Sequence, residues 1–324
     1  MDPVLKIKNL KTYFYTHDGL AKAVNGVTFH LNRGEILGVV GESGCGKSVT
    51  ALSILRIVPQ PGRIVSGEIW FDDLDLLNLP LRQMRRIRGN RISMIFQEPL
   101  ISLNPAFTIG DQLMEALRLH RRVSRAEARS MAIQMLHNVE IPAPEHRIHD
   151  YPHQLSGGMQ QRAMIAEALL LGPEVLIADE PTTALDVTIQ AQILDIMEKL
   201  TKKMETAVIL ITHNLGLVAE WAQRVVVMYA SKVVEQGPAR AIFENPKHPY
   251  TLGLLRSIPL PCRRCGQNRE PLYEIKGIVP NLVKLPSGCA FHPRCTSPRE
   301  ICRGEEPPWT AVGTHHEVAC WLHA

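Results

Sequence analysis

No apolar run in this chain of 324 residues approaches the roughly twenty positions that a helix needs to cross a bilayer. The opening residues Met1-Asp2-Pro3-Val4-Leu5-Lys6 lack the basic segment and apolar stretch of a secretory signal. The expected location is the cytoplasm, with any membrane role exerted through a partner. Net charge is small as well: +4 is too slight an excess to argue for a nucleic-acid partner, and Arg82, Arg85, Arg86, Arg88 and Arg91 read as a solvated basic face. Cysteine is scarce until late, with Cys45 alone before Pro261 and six of the seven after it. In a reducing compartment these are thiols or metal ligands rather than disulfides, and their bunching marks a separate C-terminal unit. No internal repeat is evident. The remainder, 45% hydrophobic and 21% charged, is globular in composition and long enough for one large domain plus a smaller appendage.

Alternating polarity in Val4-Leu5-Lys6-Ile7-Lys8 and through Val27-Thr28-Phe29-His30-Leu31 predicts antiparallel strands with one wet face. Short apolar runs at 36–40, 175–178, 208–211 and 225–228 predict central strands covered on both faces. Helical patterns lie between them, at 189–200 and 215–221, giving an α/β core around a mainly parallel sheet. From Arg91 to Tyr151 the pattern turns helical, at 110–120 and 126–139, with a proline-containing loop at 141–145; this reads as a helical insertion. The core closes near Gly237-Pro238. Pro259, Pro261, Pro271, Pro280 and Pro286 then punctuate a loop-rich tail with little apparent core of its own.

Gly41-Glu42-Ser43-Gly44-Cys45-Gly46-Lys47-Ser48 fits G-x-x-x-x-G-K-[S/T] after an apolar strand and before a predicted helix that continues through Val49. Its glycines let backbone N–H groups face phosphates, and the helix N-terminus adds favourable potential for anions. Lys47 is expected on the β and γ phosphates of ATP and Ser48 on Mg²⁺. Val175 to Ala178 delivers Asp179 and Glu180 at a strand end, where open α/β sheets bind ligands. Asp179 is expected to hold Mg²⁺ and Glu180 to deprotonate the attacking water. Leu155-Ser156-Gly157-Gly158-Met159-Gln160-Gln161 forms a second anion-binding helix start. The phosphate loop already serves this chain's own nucleotide, so Ser156, Gly157, Gly158 and Gln160 are expected to act on a nucleotide held by another subunit. Cys45, a thiol at a helix N-terminus, is expected to have a lowered pKa and to make the ATPase sensitive to alkylation.

Together these motifs resemble the ATP-binding-cassette ATPases, with Leu155 to Gln161 matching their signature and residues 4 to about 237 the whole cassette. The implied fold is α/β: a P-loop core with a RecA-like, mainly parallel sheet, an antiparallel β subdomain, an inserted helical subdomain and a small Cys-rich C-terminal extension. The implied division is a cassette at 1–237, with helical residues 91–160 inserted, and an extension at 238–324. Gln97, in Phe96-Gln97-Glu98-Pro99, resembles the glutamine that senses Mg²⁺ and the γ-phosphate, and His213 the switch histidine on the γ-phosphate. Ala184-Leu185-Asp186 resembles the D-loop. Phe14, with Tyr13 second, takes the place of the aromatic that stacks on adenine. Asn214 departs from the aspartate more usual after the switch histidine.

Phe96-Gln97-Glu98-Pro99 with Ser102-Leu103-Asn104-Pro105, Tyr151-Pro152-His153-Gln154-Leu155 and His248-Pro249-Tyr250-Thr251 are similar to the oligopeptide and dipeptide importer branch. That resemblance implies an ATP-hydrolysing subunit on the cytoplasmic face of the inner membrane. Its implied partners are a second, homologous ATPase subunit, two transmembrane permease subunits and, indirectly, an extracytoplasmic peptide-binding protein, with no nucleic acid. Nickel chelates and glutathione are alternative cargoes. Readings from other classes are a soluble cassette ATPase acting on ribosomes or nucleic acid, and a redox-regulated binding module. Cys289, Cys295, Cys302 and Cys320 follow C-x5-C-x6-C-x17-C, four thiolates that suit Zn²⁺ or an iron–sulfur cluster equally. The resemblance implies [4Fe-4S], read as a structural staple that supplies the tail's folding energy. Cys262 and Cys265 form a further C-x2-C pair outside that pattern.

Overall fold

The computed structural model describes residues 3–97, 102–182, 186–258 and 273–324. The chain divides into two compact units, one built from 5–30, 36–77 and 211–324, the other from 1–4, 31–35 and 78–210.

In the first unit the alternation at the N-terminus becomes a long strand, Pro3–Thr16, in which Leu5 and Ile7 are buried while Lys6 and Lys8 face solvent. Antiparallel pairing runs from Leu5 opposite Phe71 to Phe14 opposite Gly62. The sheet order is Gly19–Asn32, Pro3–Thr16, Gly62–Phe71, Leu74–Asp75. From Leu5 to Lys8 a period of two buries every second side chain, and the pairing then shifts register between Lys8 and Thr12.

Ile36–Val40 is buried along its whole length and pairs parallel with Arg224–Tyr229. Antiparallel neighbours follow outward: Lys232–Pro238, then His316–Ala319, then Trp309–Gly313. The tail thus adds a hairpin to the sheet. It also contributes Tyr250 and Phe291 to a core that includes Val218, Val225, Val227, Tyr229 and Ile242. This corrects the expectation of a tail without a core: its apolar residues pack against sheet residues distant in sequence.

The second unit holds the parallel pair Ile92–Ile95 and Val175–Asp179, with Ala207–Ile211 beside the latter. Its helices include Ile109–His120, Arg125–Asn138, Gly157–Leu169 and Val187–Lys203. Thr108 caps the first by accepting from the Asp111 N–H. Ser124 and Glu127 form a capping box on the second, at 3.2 and 2.8 Å. Leu113, Leu117, Ala132, Leu136, Ile165 and Leu169 are buried, giving the insertion an apolar centre. Within the expected loop at 141–145, Pro144 instead opens a short helix, Pro144–Arg147, where its fixed φ suits the first helical position. The arginine run lies partly on the helix Leu81–Ile87, which buries Met84 and Ile87 and exposes Arg82, Arg85 and Arg86. Among the described residues no helix is long and apolar enough to cross a membrane.

Candidate functional site

The phosphate-binding loop follows the buried strand Ile36–Val40 and leads into the helix Lys47–Ile54. Two glycines make the turn sterically possible. Gly41 and Gly46 have φ of 152° and 103°, and a Cβ on them would lie 2.2 Å from the Met228 and Ala23 carbonyl oxygens respectively. Lys47 is 6% exposed, and its Nζ donates to the carbonyls of Gly41 at 2.8 Å and Glu42 at 3.1 Å. The ammonium is thereby held inside the loop. Ser43 and Gly44 are exposed, and Ser48 and Val49 half-buried.

Cys45 departs from expectation. It is fully buried, and burial pushes its thiol up, outweighing the lowering effect of nearby Lys47. The helix N-terminus that was expected to activate it is offset by loss of solvent. The predicted reactive thiol is replaced by a packed side chain whose sulfur lies 3.8 Å from Lys47 Nζ.

The loop also carries contacts that the motif did not announce. Arg294 holds Glu42 with a two-pronged ion pair, Nη1 to Oε2 at 2.7 Å and Nη2 to Oε1 at 3.0 Å. The Glu42 N–H donates to the Tyr250 hydroxyl at 2.8 Å. Their sequence separations of 252 and 208 residues leave no local signal.

In the other unit, Val175–Asp179 delivers a buried Asp179, and Glu180 follows with φ of 47°, a left-handed backbone uncommon for a residue with a side chain. The Gln97 side-chain amide donates to Glu180 Oε2 at 3.2 Å. The strand end also holds the signature helix: Gln161 Nε2 donates to the Pro181 carbonyl at 2.5 Å. That helix, Gly157–Leu169, is capped by Ser156, whose side chain accepts from the Met159 N–H at 3.4 Å. Ser156 and Gly157 are exposed, while Gln160 is buried and donates to the carbonyls of Pro152 and Leu155. Asp186 caps Val187–Lys203 by accepting from the Ile189 N–H at 2.9 Å. Glu98, Pro99, Ala184 and Leu185, from the glutamine segment and the D-loop, lie outside the described residues.

His213 is exposed after Ala207–Ile211, and Asn214 caps Leu215–Trp221 by accepting from the Leu217 N–H at 3.2 Å. An amide oxygen serves this cap as a carboxylate would. Of the N-terminal aromatics, Phe14 is half-buried with its ring against Gly62, and Tyr13 donates to Asn25 at 2.9 Å. Tyr15, passed over in the sequence, is 53% exposed beneath the Arg63 guanidinium, 5.8 Å from its ring centroid.

Cys302 and Cys320 are buried, and Cys289 and Cys295 half-buried. Burial raises the thiols of Cys289, Cys295 and Cys320, with further raising from neighbouring thiols in the set, and Cys320 reaches about 11. Backbone N–H groups oppose this by donating to sulfur, as Ser297 does to Cys295 at 3.4 Å. Among the described residues, however, no group of three or more His, Cys, Asp or Glu side chains could hold a metal ion. The expected Zn²⁺ or [4Fe-4S] ligand set thus finds no support in this geometry. Cys262 and Cys265 lie outside the described residues.

A glycine loop around a buried lysine and a strand ending in two acids define a P-loop nucleotide-binding protein. Comparisons narrow the class. Residues 24–183 match the family described as ABC transporter, and 234–302 that described as oligopeptide/dipeptide transporter, C-terminal region. The chain is 53% identical to a Sinorhizobium fredii protein called a probable peptide ABC transporter ATP-binding protein, y4tR, covering 99% of this chain and 95% of that protein. It is 49% identical to the dipeptide transport ATP-binding protein DppD of Bacillus subtilis, covering 99% and 95%. Among solved structures, the dimeric ATP-binding cassette MJ0796 bound to ADP and Pi aligns with a TM-score of 0.66 and 27% identity, over 73% of this chain and 99% of that one. The chain belongs to the ABC transporter ATPases, in their oligopeptide/dipeptide branch.

Proposed function

We propose that this chain is the ATP-hydrolysing subunit of a peptide importer, binding MgATP between two ATPase subunits and coupling hydrolysis to uptake of dipeptides or oligopeptides. The contact that carries this reading is Gln97 on Glu180, a sensor amide 3.2 Å from the acid assigned to water activation. Glu180 takes the proton of the attacking water, and Gln97 and His213 read the γ-phosphate. The loop Gly41 to Val49, with Lys47 at its centre, binds the phosphates, and Phe14 stacks on adenine. Mg²⁺ neutralises phosphate charge when bound, and Ser48, Gln97 and Asp179 are the residues that would hold it; a buried carboxylate at a strand end suits that ion. Ser156, Gly157, Gly158 and Gln160 cap the nucleotide of the other subunit, and Asp186 belongs to the crossing D-loop.

The other subunit is a homologous ATPase, and two permease subunits anchor the pair to the cytoplasmic face of the membrane, fed by an extracytoplasmic binding protein. The cassette is assigned to 1–237, with 91–160 as its helical insertion, and the extension to 238–324. Copurification of the tagged chain with integral membrane subunits, followed by ATP-dependent uptake of labelled dipeptide into vesicles, tests the assignment. Uptake of a nickel chelate or glutathione instead would redirect the cargo, and isolation with ribosomes would replace the reading.

Cys289, Cys295, Cys302 and Cys320 are proposed as [4Fe-4S] ligands on donor chemistry alone, as four thiols in one extension; among the described residues their arrangement is not one that would hold a metal ion. Iron and acid-labile sulfide in anaerobically purified protein, lost in Cys302→Ser, would support it; protein free of both would remove it.

A further inference from the structure

Glu42 sets an electrostatic problem inside the phosphate-binding loop. Loop amides and Lys47 draw in a polyanion, yet the second loop residue carries a carboxylate of like charge. The fold answers it from the far end of the chain. Arg294 is 5% exposed at its side chain and commits every face of its guanidinium. Nη1 and Nη2 hold the two Glu42 oxygens, Nη1 also donates to the Tyr229 hydroxyl at 3.4 Å, Nη2 to the Ile275 carbonyl at 3.2 Å and Nε to the Lys276 carbonyl at 3.3 Å. Tyr229, Tyr250 and Phe291 pack as a ring cluster with centroids 4.6 to 5.4 Å apart, and Tyr250 holds the Glu42 N–H. A forked, charge-assisted pair of this kind fixes orientation as well as charge.

We infer that Arg294 is a positioning residue for nucleotide binding: it neutralises the Glu42 carboxylate and holds it aside, so that the loop presents a net attraction to phosphate. The C-terminal extension is by this account part of the nucleotide site's support. Removing Arg294 releases a half-buried carboxylate in the loop proposed to receive the triphosphate. One uncompensated charge several ångström away, in an effective dielectric near 20, weakens ATP binding on the order of tenfold.

The test is a titration of the full chain with a fluorescent ATP analogue, with melting temperature followed in parallel. Arg294→Ala is expected to raise the dissociation constant about tenfold. Adding Glu42→Gln to that variant should return it to within about threefold of the Glu42→Gln single variant, because the charge needing compensation is gone. Should Arg294→Ala not fold, Arg294→Lys, which keeps the charge without the fork, is expected to lose less than about fivefold. Wild-type affinity in Arg294→Ala, or a double variant as weak as Arg294→Ala, would overturn the inference, since loss of packing alone is not rescued at Glu42. The inference rests on ATP occupying the loop, which Lys47→Ala tests separately. Binding lost in Lys47→Ala but kept in Arg294→Ala refutes only the clamp, whereas binding indifferent to Lys47 refutes the loop assignment.

Discussion

The two helix starts proposed to bind phosphate are built in opposite ways. At the phosphate-binding loop, Gly41 and Gly46 lie against backbone carbonyls, Lys47 is buried, and Arg294 and Tyr250 grip Glu42. At the signature, the helix is anchored from below by Gln160 and Gln161, while Ser156 and Gly157 at its tip stay exposed. The first is completed by its own chain. The second is anchored through Gln160 and Gln161 but exposed at its tip, which suits the proposed role on another subunit's nucleotide. Similar local chemistry thus acquires different roles through what surrounds it.

The largest effect is expected where the acidic strand end meets chemistry. Glu180→Gln should slow ATP hydrolysis by about 10² to 10⁴-fold while ATP binding persists, as measured by turnover and nucleotide titration; near-normal turnover would remove Glu180 as the base. Next, Gly46→Ala should cost about 3 kcal/mol of stability, measured by urea denaturation, because φ of 103° and a carbonyl 2.2 Å from the new Cβ leave no room. A cost under 1 kcal/mol would mean that the loop is as yielding as the signature tip.

The phosphate-loop region should also be the acid-sensitive one. His248 caps the helix that carries Tyr250, accepting its N–H at 3.1 Å, and burial, aided by His323, lowers its pKa to about 3. Between pH 6.5 and about 3 the unfolded chain takes up a proton that the folded chain refuses, so stability present above pH 6.5 is lost as pH falls. The loss is about 1.4 kcal/mol per pH unit, or roughly 2 kcal/mol by pH 5. His248→Asn, which keeps a capping acceptor, should flatten that slope, and an unchanged slope would assign acid sensitivity elsewhere. The smallest effect belongs to the signature tip, where Ser156→Ala should cost about 1 kcal/mol of stability through loss of the cap on Met159.

Much of this was legible along the chain because it depends on neighbours. Ile36 to Ser48 announces strand, glycine turn and helix within one segment, and the helical pattern at 126–139 matches the helix Arg125–Asn138 to within a residue. The strand Ile92–Ile95 escaped notice since four residues carry no readable period. The hairpin Trp309–Gly313 and His316–Ala319 was hidden among prolines and cysteines, and only its pairing with Lys232–Pro238 makes it part of a sheet. Cys45 was misread because its position just before a helix is local information and its burial is not. Arg294 drew no reading from the sequence, because its partner Glu42 lies 252 residues away.

The contrast between the two loops is tested most directly by nucleotide titration of the isolated chain beside ATP hydrolysis of the assembled importer, for Lys47→Ala and Ser156→Arg. Ser156→Arg is expected to leave the isolated chain's ATP affinity within about twofold of wild type while hydrolysis in the complex falls by at least about 10²-fold, and Lys47→Ala to lose both. If Ser156→Arg weakens ATP binding by the isolated chain as severely as Lys47→Ala does, the signature serves its own chain's nucleotide and the shared-site account is wrong.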